Sequence, residues 1–139
     1  MVLAASLEQA MGGGVGTHCI LELYGCSAQV LDDEARLMPT LREAVLRAGA
    51  TLLRETMHRF EPQGLTALLL LAESHLSIHT WPETGYAAVD VFTCGSHTDP
   101  QLACSFLIQA CGATHHSLKV ITRRPPAIVN RTERHPIAL

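Results

Sequence analysis

The chain has 139 residues, a mass of 15.0 kDa and a formal net charge of −3 at neutral pH. This length suits one domain with a sizeable core, and the slight acidity gives no sign of a surface that binds nucleic acid. The five cysteines form no C-x-x-C pair and no apolar run reaches the ~20 residues that cross a bilayer, which excludes a disulfide framework and a membrane span and predicts a cytoplasmic protein with reduced thiols.

The N-terminal part of the chain predicts a leader, a strand and a helix. Residues 1–16 end in a glycine-rich run and are expected to form a flexible leader. Residues 18–24 predict a strand, and residues 31–48 predict a helix that stops at Gly49. Pro39 either kinks this helix or marks the first turn of a shorter one.

The middle of the chain predicts strands. Residues 51–60 and 65–72 predict two strands joined by a turn through Pro62-Gln63-Gly64. Residues 67–71 are wholly apolar, which favours a strand in the middle of a sheet, although periodicity alone fits a buried helix as well. Apolar and polar side chains alternate in residues 75–79, as in a strand with one face in a core and the other available for chemistry.

The C-terminal part predicts a strand at residues 86–93, a helix at residues 100–111 and a last strand at residues 116–122. We expect a domain that spans residues 17–123. Residues 124–139 contain prolines and arginines and are expected to form a solvated tail.

The order of these elements is β-α-β-β followed by β-β-α-β. This order, with too few helices to cover both faces of a parallel sheet, predicts an α+β fold, a two-layer sandwich whose mainly antiparallel sheet carries helices on one face. The second face of such a sheet would need cover. A homodimer that packs sheet against sheet or sheet against helix would supply it.

Residues 73–83 carry the densest group of reactive side chains and read Glu-Ser-His-Leu-Ser-Ile-His-Thr-Trp-Pro-Glu. The Ser74 hydroxyl can attack the carbonyl of the peptide bond on its N-terminal side and convert that bond into an ester. A base that removes the Ser74 α-proton then eliminates the ester, so that the cut chain keeps a ketone, a pyruvoyl group, in place of the serine. A Glu-Ser pair alone does not predict this reaction, because it occurs in many inert proteins.

The segment resembles the self-cleavage site of the short bacterial and archaeal form of S-adenosylmethionine decarboxylase, which reads E-S-H-x-x-x-H-T-W-P-E. The similarity runs from Gly16 to Gly95 without an obvious gap and includes the run Phe92-Thr93-Cys94-Gly95. The resemblance implies an enzyme that makes decarboxylated S-adenosylmethionine for spermidine synthesis. Its cofactor would be the pyruvoyl group itself, and its oligomer a homodimer of cleaved α and β chains.

The resemblance also implies roles in processing for four residues. Cleavage falls between Glu73 and Ser74, and Ser74 becomes the pyruvoyl group at the head of the C-terminal fragment. His79 matches the histidine that the family uses in processing, which suits an imidazole as base. Thr66 stands where the family commonly has a serine that helps processing.

Three further residues match positions that contact the substrate. Cys94 matches the cysteine that returns a proton to carbon after carbon dioxide leaves, Phe60 the aromatic that stacks on adenine, and Glu83 the carboxylate that binds the ribose hydroxyls. The substrate amine would condense with the ketone, and the adjacent amide carbonyl would take up the electron pair released with carbon dioxide.

Two departures from the family pattern leave another substrate open. Leu23 stands where the family usually has phenylalanine, and Met57 stands where an aromatic often occurs. If either residue lined the adenosyl pocket, the substrate would be smaller, and the alternative is a pyruvoyl-dependent arginine or ornithine decarboxylase.

Two alternatives come from other classes of protein. A metal-binding homologue would use histidines at positions 75, 79, 97, 115 and 116. His75 and His79 would lie about 13 Å apart on a strand, too far to share a metal, so we expect no metal site. An unprocessed regulatory homologue is the other alternative, but every residue named for processing is present.

Overall fold

The computed structural model describes residues 16–72 and 74–126. Six strands form one antiparallel sheet in the order β2-β3-β4-β5-β1-β6. The strands are β1 (Gly16–Tyr24), β2 (Leu52–Arg59), β3 (Leu65–Leu71), β4 (Ser74–Trp81), β5 (Tyr86–Cys94) and β6 (His115–Arg123). The helices are α1 (Ala28–Leu31), α2 (Glu34–Arg47) and α3 (Pro100–Ala110), with a short 3-10 helix at Pro82–Thr84. The predicted fold class is confirmed.

The two faces of the sheet differ in what covers them. Side chains alternate between buried and half-buried along β1 and β5, because successive residues of a strand point to opposite faces. Leu21 and Val89 on one face join Leu41 of α2 and Leu107 of α3 in the core, so this is the helix face. Each such aliphatic side chain stabilises the fold by about 1.5–3 kcal/mol on burial.

The other face, here called the open face, is covered by no helix of the described residues. It carries alternate side chains of all six strands, among them His79 of β4 and Cys94 of β5. Its apolar side chains are strongly exposed for their type: Leu68 (48%), Leu70 (50%), Trp81 (41%) and Ile121 (43%). The open face therefore exposes apolar side chains from several strands.

The helix predicted over residues 31–48 is wrong at its start. Leu31 ends α1, and α2 begins only at Glu34 because the Asp33 side chain accepts a hydrogen bond from the Arg36 backbone N–H and caps the helix. Pro39 lies inside α2, so the option that it marks a first turn is wrong too.

The apolar run at residues 67–71 belongs to β3, so the alternative of a buried helix is wrong. β3 pairs with β2 on one side and β4 on the other, as expected for a strand inside a sheet. Leu69 and Leu71 reach the core, whereas Leu68 and Leu70 lie on the open face. The run is therefore apolar on both faces although helices cover only one.

The remaining boundaries agree with the predicted strands to within two residues, and β1 begins at Gly16. The rest of the expected leader, Glu73, and residues 127–139 of the expected tail lie outside the described residues. Within the described ranges, no helix is long and apolar enough to span a membrane.

Candidate active site

Thr66 and His79 meet at one end of the open face. They are cross-strand partners on β3 and β4, and Thr66 Oγ1 lies 2.8 Å from His79 Nδ1. Because the ring nitrogen and the hydroxyl can each donate or accept, the tautomer decides which of them gives the proton. This contact fixes the imidazole orientation, as required of a histidine that moves protons.

A cleft of about 500 Å³ opens beside this pair and has the size of a small-molecule site. It brings together four of the residues that the sequence singled out, Phe60, Thr66, His79 and Glu83. The complete lining is Phe60, Glu61, Pro62, Gln63, Leu65, Thr66, His79, Thr80, Trp81 and Glu83. The cleft thus combines aromatic faces with a carboxylate and an imidazole, which suits a ligand with a planar ring and hydroxyl groups. We call this region the cleft end of the sheet.

The turn that carries Phe60 is held from below by Asp32. One oxygen of the Asp32 carboxylate accepts a hydrogen bond of 2.8 Å from the Gly64 backbone N–H, and the other lies 3.2 Å from Arg59 Nη2. Arg59 also donates to the Asp32 carbonyl oxygen at 2.9 Å. Both ends of the turn are therefore tied to the loop between α1 and α2, and Phe60 is exposed above it (48%).

Thr80 ties the floor of the cleft to the core. Its buried hydroxyl donates to the Leu31 carbonyl oxygen at 3.0 Å and accepts from the Leu65 backbone N–H at 3.0 Å. These bonds satisfy backbone groups that the strand ladder leaves over. They position His79 and Trp81, its neighbours on β4, over the cleft.

Ser74 lies at the opposite end of β4. It pairs with Leu71 of β3 and begins β4. Its side chain is half-buried. We call this region the cleavage end of the sheet.

Cys94 belongs to the cleavage end as well. It is half-buried on the open face, and a Cβ on the neighbouring Gly16 would come within 3.4 Å of its sulfur and 2.5 Å of the Phe92 ring. Glycine at position 16 therefore leaves room for both side chains. The Phe92 ring in turn is flanked by His18 and His75, with centroid distances of 5.8 and 6.0 Å.

The other four thiols differ from Cys94 in burial. Cys19, Cys26, Cys104 and Cys111 are buried in the core. Burial raises the pKa of each of these thiols, and that of Cys111 reaches about 12. Cys94 is the one cysteine of the five that is not buried in the core.

The sequence-predicted residues thus fall into two groups rather than one. Ser74 and His79 lie on the same strand five positions apart, which corresponds to about 16 Å at a rise of about 3.3 Å per residue. A hydrogen bond spans about 3 Å, so the imidazole of one chain does not reach the serine of that chain.

Sequence reasoning missed two polar contacts on the open face. His18 Nε2 lies 2.9 Å from Asp90 Oδ1, and the Tyr86 hydroxyl donates to the Glu22 carboxylate. That bond is the main reason why the pKa of Tyr86 rises to about 12. The sequence did carry one signal for these contacts. Residues of β1 alternate between the two faces of the sheet, so His18 and Glu22 are predicted to lie on the same face.

An aromatic row crosses four strands near the cleft end and was also missed. Trp81 stacks on Tyr86 at 5.1 Å, Tyr86 on Tyr24 at 5.6 Å, and Tyr24 on His115 at 4.9 Å between ring centroids. The row forms because the pairing register of β4, β5, β1 and β6 brings the four rings side by side. A pattern within one strand therefore does not predict it. The four stacked rings form a continuous, rigid aromatic surface on the open face.

The two departures from the family pattern do not line the cleft. Leu23 is fully buried on the helix face, and Met57 packs against the core and lines a different groove beside α2. The loss of aromatic surface at these positions therefore leaves the cleft unchanged. In the described ranges, no three side chains of the metal-ligand types come together at one point.

Comparisons with known sequences give a consistent result. A family profile described as S-adenosylmethionine decarboxylase matches residues 17–124. A protein named S-adenosylmethionine decarboxylase proenzyme from Prochlorococcus marinus (strain MIT 9313) is 61% identical over 124 residues, which cover 89% of this chain and 99% of the relative. A protein of the same name from Caldicellulosiruptor saccharolyticus is 44% identical and covers 78% of this chain and 88% of its own length.

A solved structure has the same architecture. The crystal structure of the adenosylmethionine decarboxylase from Aquifex aeolicus VF5 superposes with a TM-score of 0.74 at 34% sequence identity. The superposition covers 87% of this chain and 98% of the other.

Proposed function

The chain belongs to the S-adenosylmethionine decarboxylase family, and we propose that it is a proenzyme that cleaves itself and then decarboxylates S-adenosylmethionine. The observation that carries the proposal is the family match over residues 17–124, which contains all the site residues named above. The product, decarboxylated S-adenosylmethionine, serves spermidine synthesis. The free thiols fit the reducing cytoplasm as the place of action.

Self-cleavage begins at the hydroxyl of Ser74. Its oxygen adds to the carbonyl carbon bonded to the Ser74 nitrogen, the hydroxyl proton passes to a base, and the carbon–nitrogen bond breaks as the nitrogen takes up a proton. A base then removes the Ser74 α-proton, and the Glu73 carboxylate leaves from Cβ with its electron pair. The remaining enamine becomes an imine, and water replaces the nitrogen as ammonia to leave the ketone.

His79 is the base that the geometry supports. In the tautomer with hydrogen on Nδ1, the ring donates to Thr66 Oγ1 and leaves Nε2 to accept a proton. Thr66 keeps the hydroxyl that this contact needs, although its β-branched side chain has fewer rotamers than serine. Thr66 therefore orients the base.

In the decarboxylation, the pyruvoyl ketone supplies an electron sink for the pair released with carbon dioxide. Cys94 then delivers a proton from its thiol to the substrate carbon. Phe60 stacks on the adenine ring and Glu83 accepts hydrogen bonds from the ribose hydroxyls, which the cleft of about 500 Å³ accommodates.

A second copy of the chain completes the site in this proposal. The separation of about 16 Å between Ser74 and His79 leaves each chain with two incomplete halves at opposite ends of β4. If two open faces pack against each other about a twofold axis, the cleavage end of one copy meets the cleft end of its partner. The exposed Leu68, Leu70 and Trp81 would be buried by the same contact.

Substrate assays test the chemistry. Purified, processed protein is expected to release carbon dioxide from S-adenosylmethionine and not from arginine or ornithine at equal concentration. Cys94→Ala serves as the control for carbon dioxide from other sources. Release from a basic amino acid alone would contradict the proposed substrate.

A further inference from the structure

Two polar groups on the open face keep bonding capacity that one chain does not use. His18 of β1 contacts Asp90 through Nε2 at 2.9 Å, and in the part of the chain that the structure describes its Nδ1 makes no hydrogen bond. The Glu22 carboxylate accepts a hydrogen bond from the Tyr86 hydroxyl and has no cationic partner among the same residues. An imidazolium has a second N–H to donate and a carboxylate has further lone pairs to accept it, so each group suits the other.

His18 and Glu22 cannot meet within one chain. They stand four positions apart on β1, which corresponds to about 13 Å at a rise of about 3.3 Å per residue. Their even spacing places both side chains on the open face. A second surface laid against this face would therefore meet both groups.

The homodimer proposed above determines which residues of a second copy would lie against them. A twofold rotation that exchanges the two ends of β4 has its axis across the strands, in the plane between the sheets. Each strand then lies over its own counterpart in the reverse direction.

The strand midpoints locate this axis. One cross-strand row, here called the central row, contains Ser77 of β4 and the middle residues of β3, β5, β1 and β6. Its members are Leu68, Ser77, Asp90, Ile20 and Lys119. The midpoint between Ser74 and His79 lies within one residue of Ser77, so an axis along the central row also brings each cleavage end to the partner's cleft end.

Residues at equal distances on either side of the central row face each other across the dimer. His18 lies two residues before Ile20 and Glu22 lies two residues after it, so His18 faces Glu22 of the partner subunit. Phe92, which pairs with His18, faces the partner's Ala88, which pairs with Glu22, so a large side chain meets a small one. Packed sheets lie about 10 Å apart, a gap that a histidine and a glutamate pointing at each other can bridge.

We propose that His18 of each copy forms an ion pair with Glu22 of the partner subunit, a contact that rests on the homodimer in the function proposed above. The pair occurs twice in the dimer by symmetry. It sets the register of the two open faces, and with it the alignment of each cleavage end with the partner's cleft end.

The charge of Asp90 gives His18 a second reason to carry a proton in the dimer. Asp90 belongs to the central row, so the Asp90 carboxylates of the two copies approach each other at the axis. Like charges repel, and each Asp90 is in contact with the His18 of its own chain. An imidazolium at His18 offsets this repulsion while it binds the partner's Glu22.

Dissociation of the dimer measures the pair. Four full-length chains all carry Ser74→Ala, so that none is cut: the reference, His18→Gln, Glu22→Gln and the double variant. Sedimentation over a range of protein concentrations gives the dimer Kd of each. Glu43→Gln is the matched control, because it removes the same charge from α2 on the other side of the sheet.

Each single variant is expected to raise the dimer Kd about 100-fold, because the dimer contains two pairs and each contributes about tenfold. The double variant should also show an increase of about 100-fold, because the second substitution removes a partner whose pair is already broken. Without contact across the dimer, two groups about 13 Å apart would act independently and give about 10,000-fold. Glu43→Gln should stay within about threefold of the reference.

Mixing the His18→Gln and Glu22→Gln chains gives a directional readout. Each homodimer contains no intact pair, whereas the mixed dimer keeps one, between His18 of the Glu22→Gln chain and Glu22 of the His18→Gln chain. The mixed dimer should therefore form about tenfold more tightly than either homodimer. Native mass spectrometry with one chain isotope-labelled measures the three species.

A double variant whose effect is the product of the single effects would overturn the pair. So would an unchanged Kd in the single variants, equal loosening by Glu43→Gln, or no preference for the mixed dimer. A reference chain that stays monomeric at micromolar concentration would overturn the pair together with the proposed dimer, whereas a dimer without coupling would overturn the pair alone. Because none of these chains is cut, a failure of self-cleavage in the unmodified chain leaves the result of this experiment unchanged.

Discussion

The cleft end and the cleavage end lie at opposite ends of the same sheet and are built differently. At the cleft end, Thr66 bonds His79, Thr80 bonds two backbone groups and Asp32 holds the turn below Phe60. At the cleavage end, Thr93 keeps a buried hydroxyl without a partner in the described ranges. Side-chain hydrogen bonds to backbone groups therefore hold the turn and the floor of the cleft end, whereas this buried hydroxyl at the cleavage end makes no such bond.

The distance between the two ends has a direct consequence for assembly. Groups about 16 Å apart on one strand do not act on one substrate within a chain, whereas two chains with facing sheets present opposite ends to each other. In the proposed homodimer, each active site therefore has two contributors, one for each end.

Mixing two inactive variants tests this division and has the largest expected effect. Cys94→Ala removes the proposed proton donor at the cleavage end, and Glu83→Gln removes the carboxylate proposed to bind the ribose at the cleft end. Each alone is expected to lose most turnover. Random mixing during co-expression makes half of the dimers mixed, each with one intact site in two, so activity should return to about a quarter of the unmodified level.

The control for this experiment places both substitutions on one chain and co-expresses it with a Ser74→Ala chain. The single good cleft end then faces the defective Cys94 end, and the uncut Ser74→Ala end faces the defective cleft end. No activity is expected. Activity of the Cys94→Ala and Glu83→Gln mixture no greater than the sum of its parts would contradict a shared site.

A smaller effect is expected from loosening the cleft end. Asp32→Ala removes the acceptor for the Gly64 N–H and the carboxylate beside Arg59. We expect the free energy of unfolding to fall by about 1–3 kcal/mol and KM for S-adenosylmethionine to rise about tenfold, with kcat per ketone little changed. Steady-state kinetics and urea unfolding measure these quantities.

Asp33→Ala is the matched control for this experiment. It removes the cap of α2 and should cost about 1 kcal/mol of stability without contact to the cleft. An equal rise of KM in Asp33→Ala would show that general stability, not the position of the turn, controls substrate binding.

The smallest effect concerns Tyr86 and its pH dependence. The hydrogen bond to Glu22 raises the pKa of Tyr86 to about 12 in the folded chain, above its ordinary value of about 10. The stabilisation is therefore fully present below pH 10 and is lost as pH rises toward 12. Tyr86→Phe should lower the free energy of unfolding by about 1 kcal/mol at pH 7, with a smaller difference at pH 11.

Urea unfolding at both pH values measures this difference, and a double-mutant cycle with Glu22→Gln isolates the contact. A difference that stays constant between pH 7 and pH 11 would show that the lost hydroxyl acts through packing alone.

The fold could be predicted from the sequence where local patterns decide it. Alternation along β1 and β5 and the turn residues around Gly64 and Gly85 mark the strands and hairpins, because a side-chain period of two and a turn are local properties. The start of α2 could not be predicted, because Asp32 and Asp33 are equally good caps by type. Only the tertiary bonds of Asp32 to Arg59 and Gly64 leave Asp33 as the cap.

The site could be predicted as a set of residues but not as an arrangement. The motif names Ser74, His79 and Cys94, but it does not say that Ser74 and His79 lie near opposite ends of one strand. The place of Thr93 depends on the register between β4 and β5, which long-range pairing decides. A threonine inside an apolar strand gives no local sign of lacking a partner.

Intact-mass spectrometry of freshly made protein tests the central claim most directly. The account predicts two fragments, with the C-terminal one beginning at position 74 and carrying a ketone that phenylhydrazine modifies, while Ser74→Ala stays a single chain of 15.0 kDa. A correctly folded, unmodified chain that keeps its full mass after prolonged incubation and does not react with phenylhydrazine would contradict it.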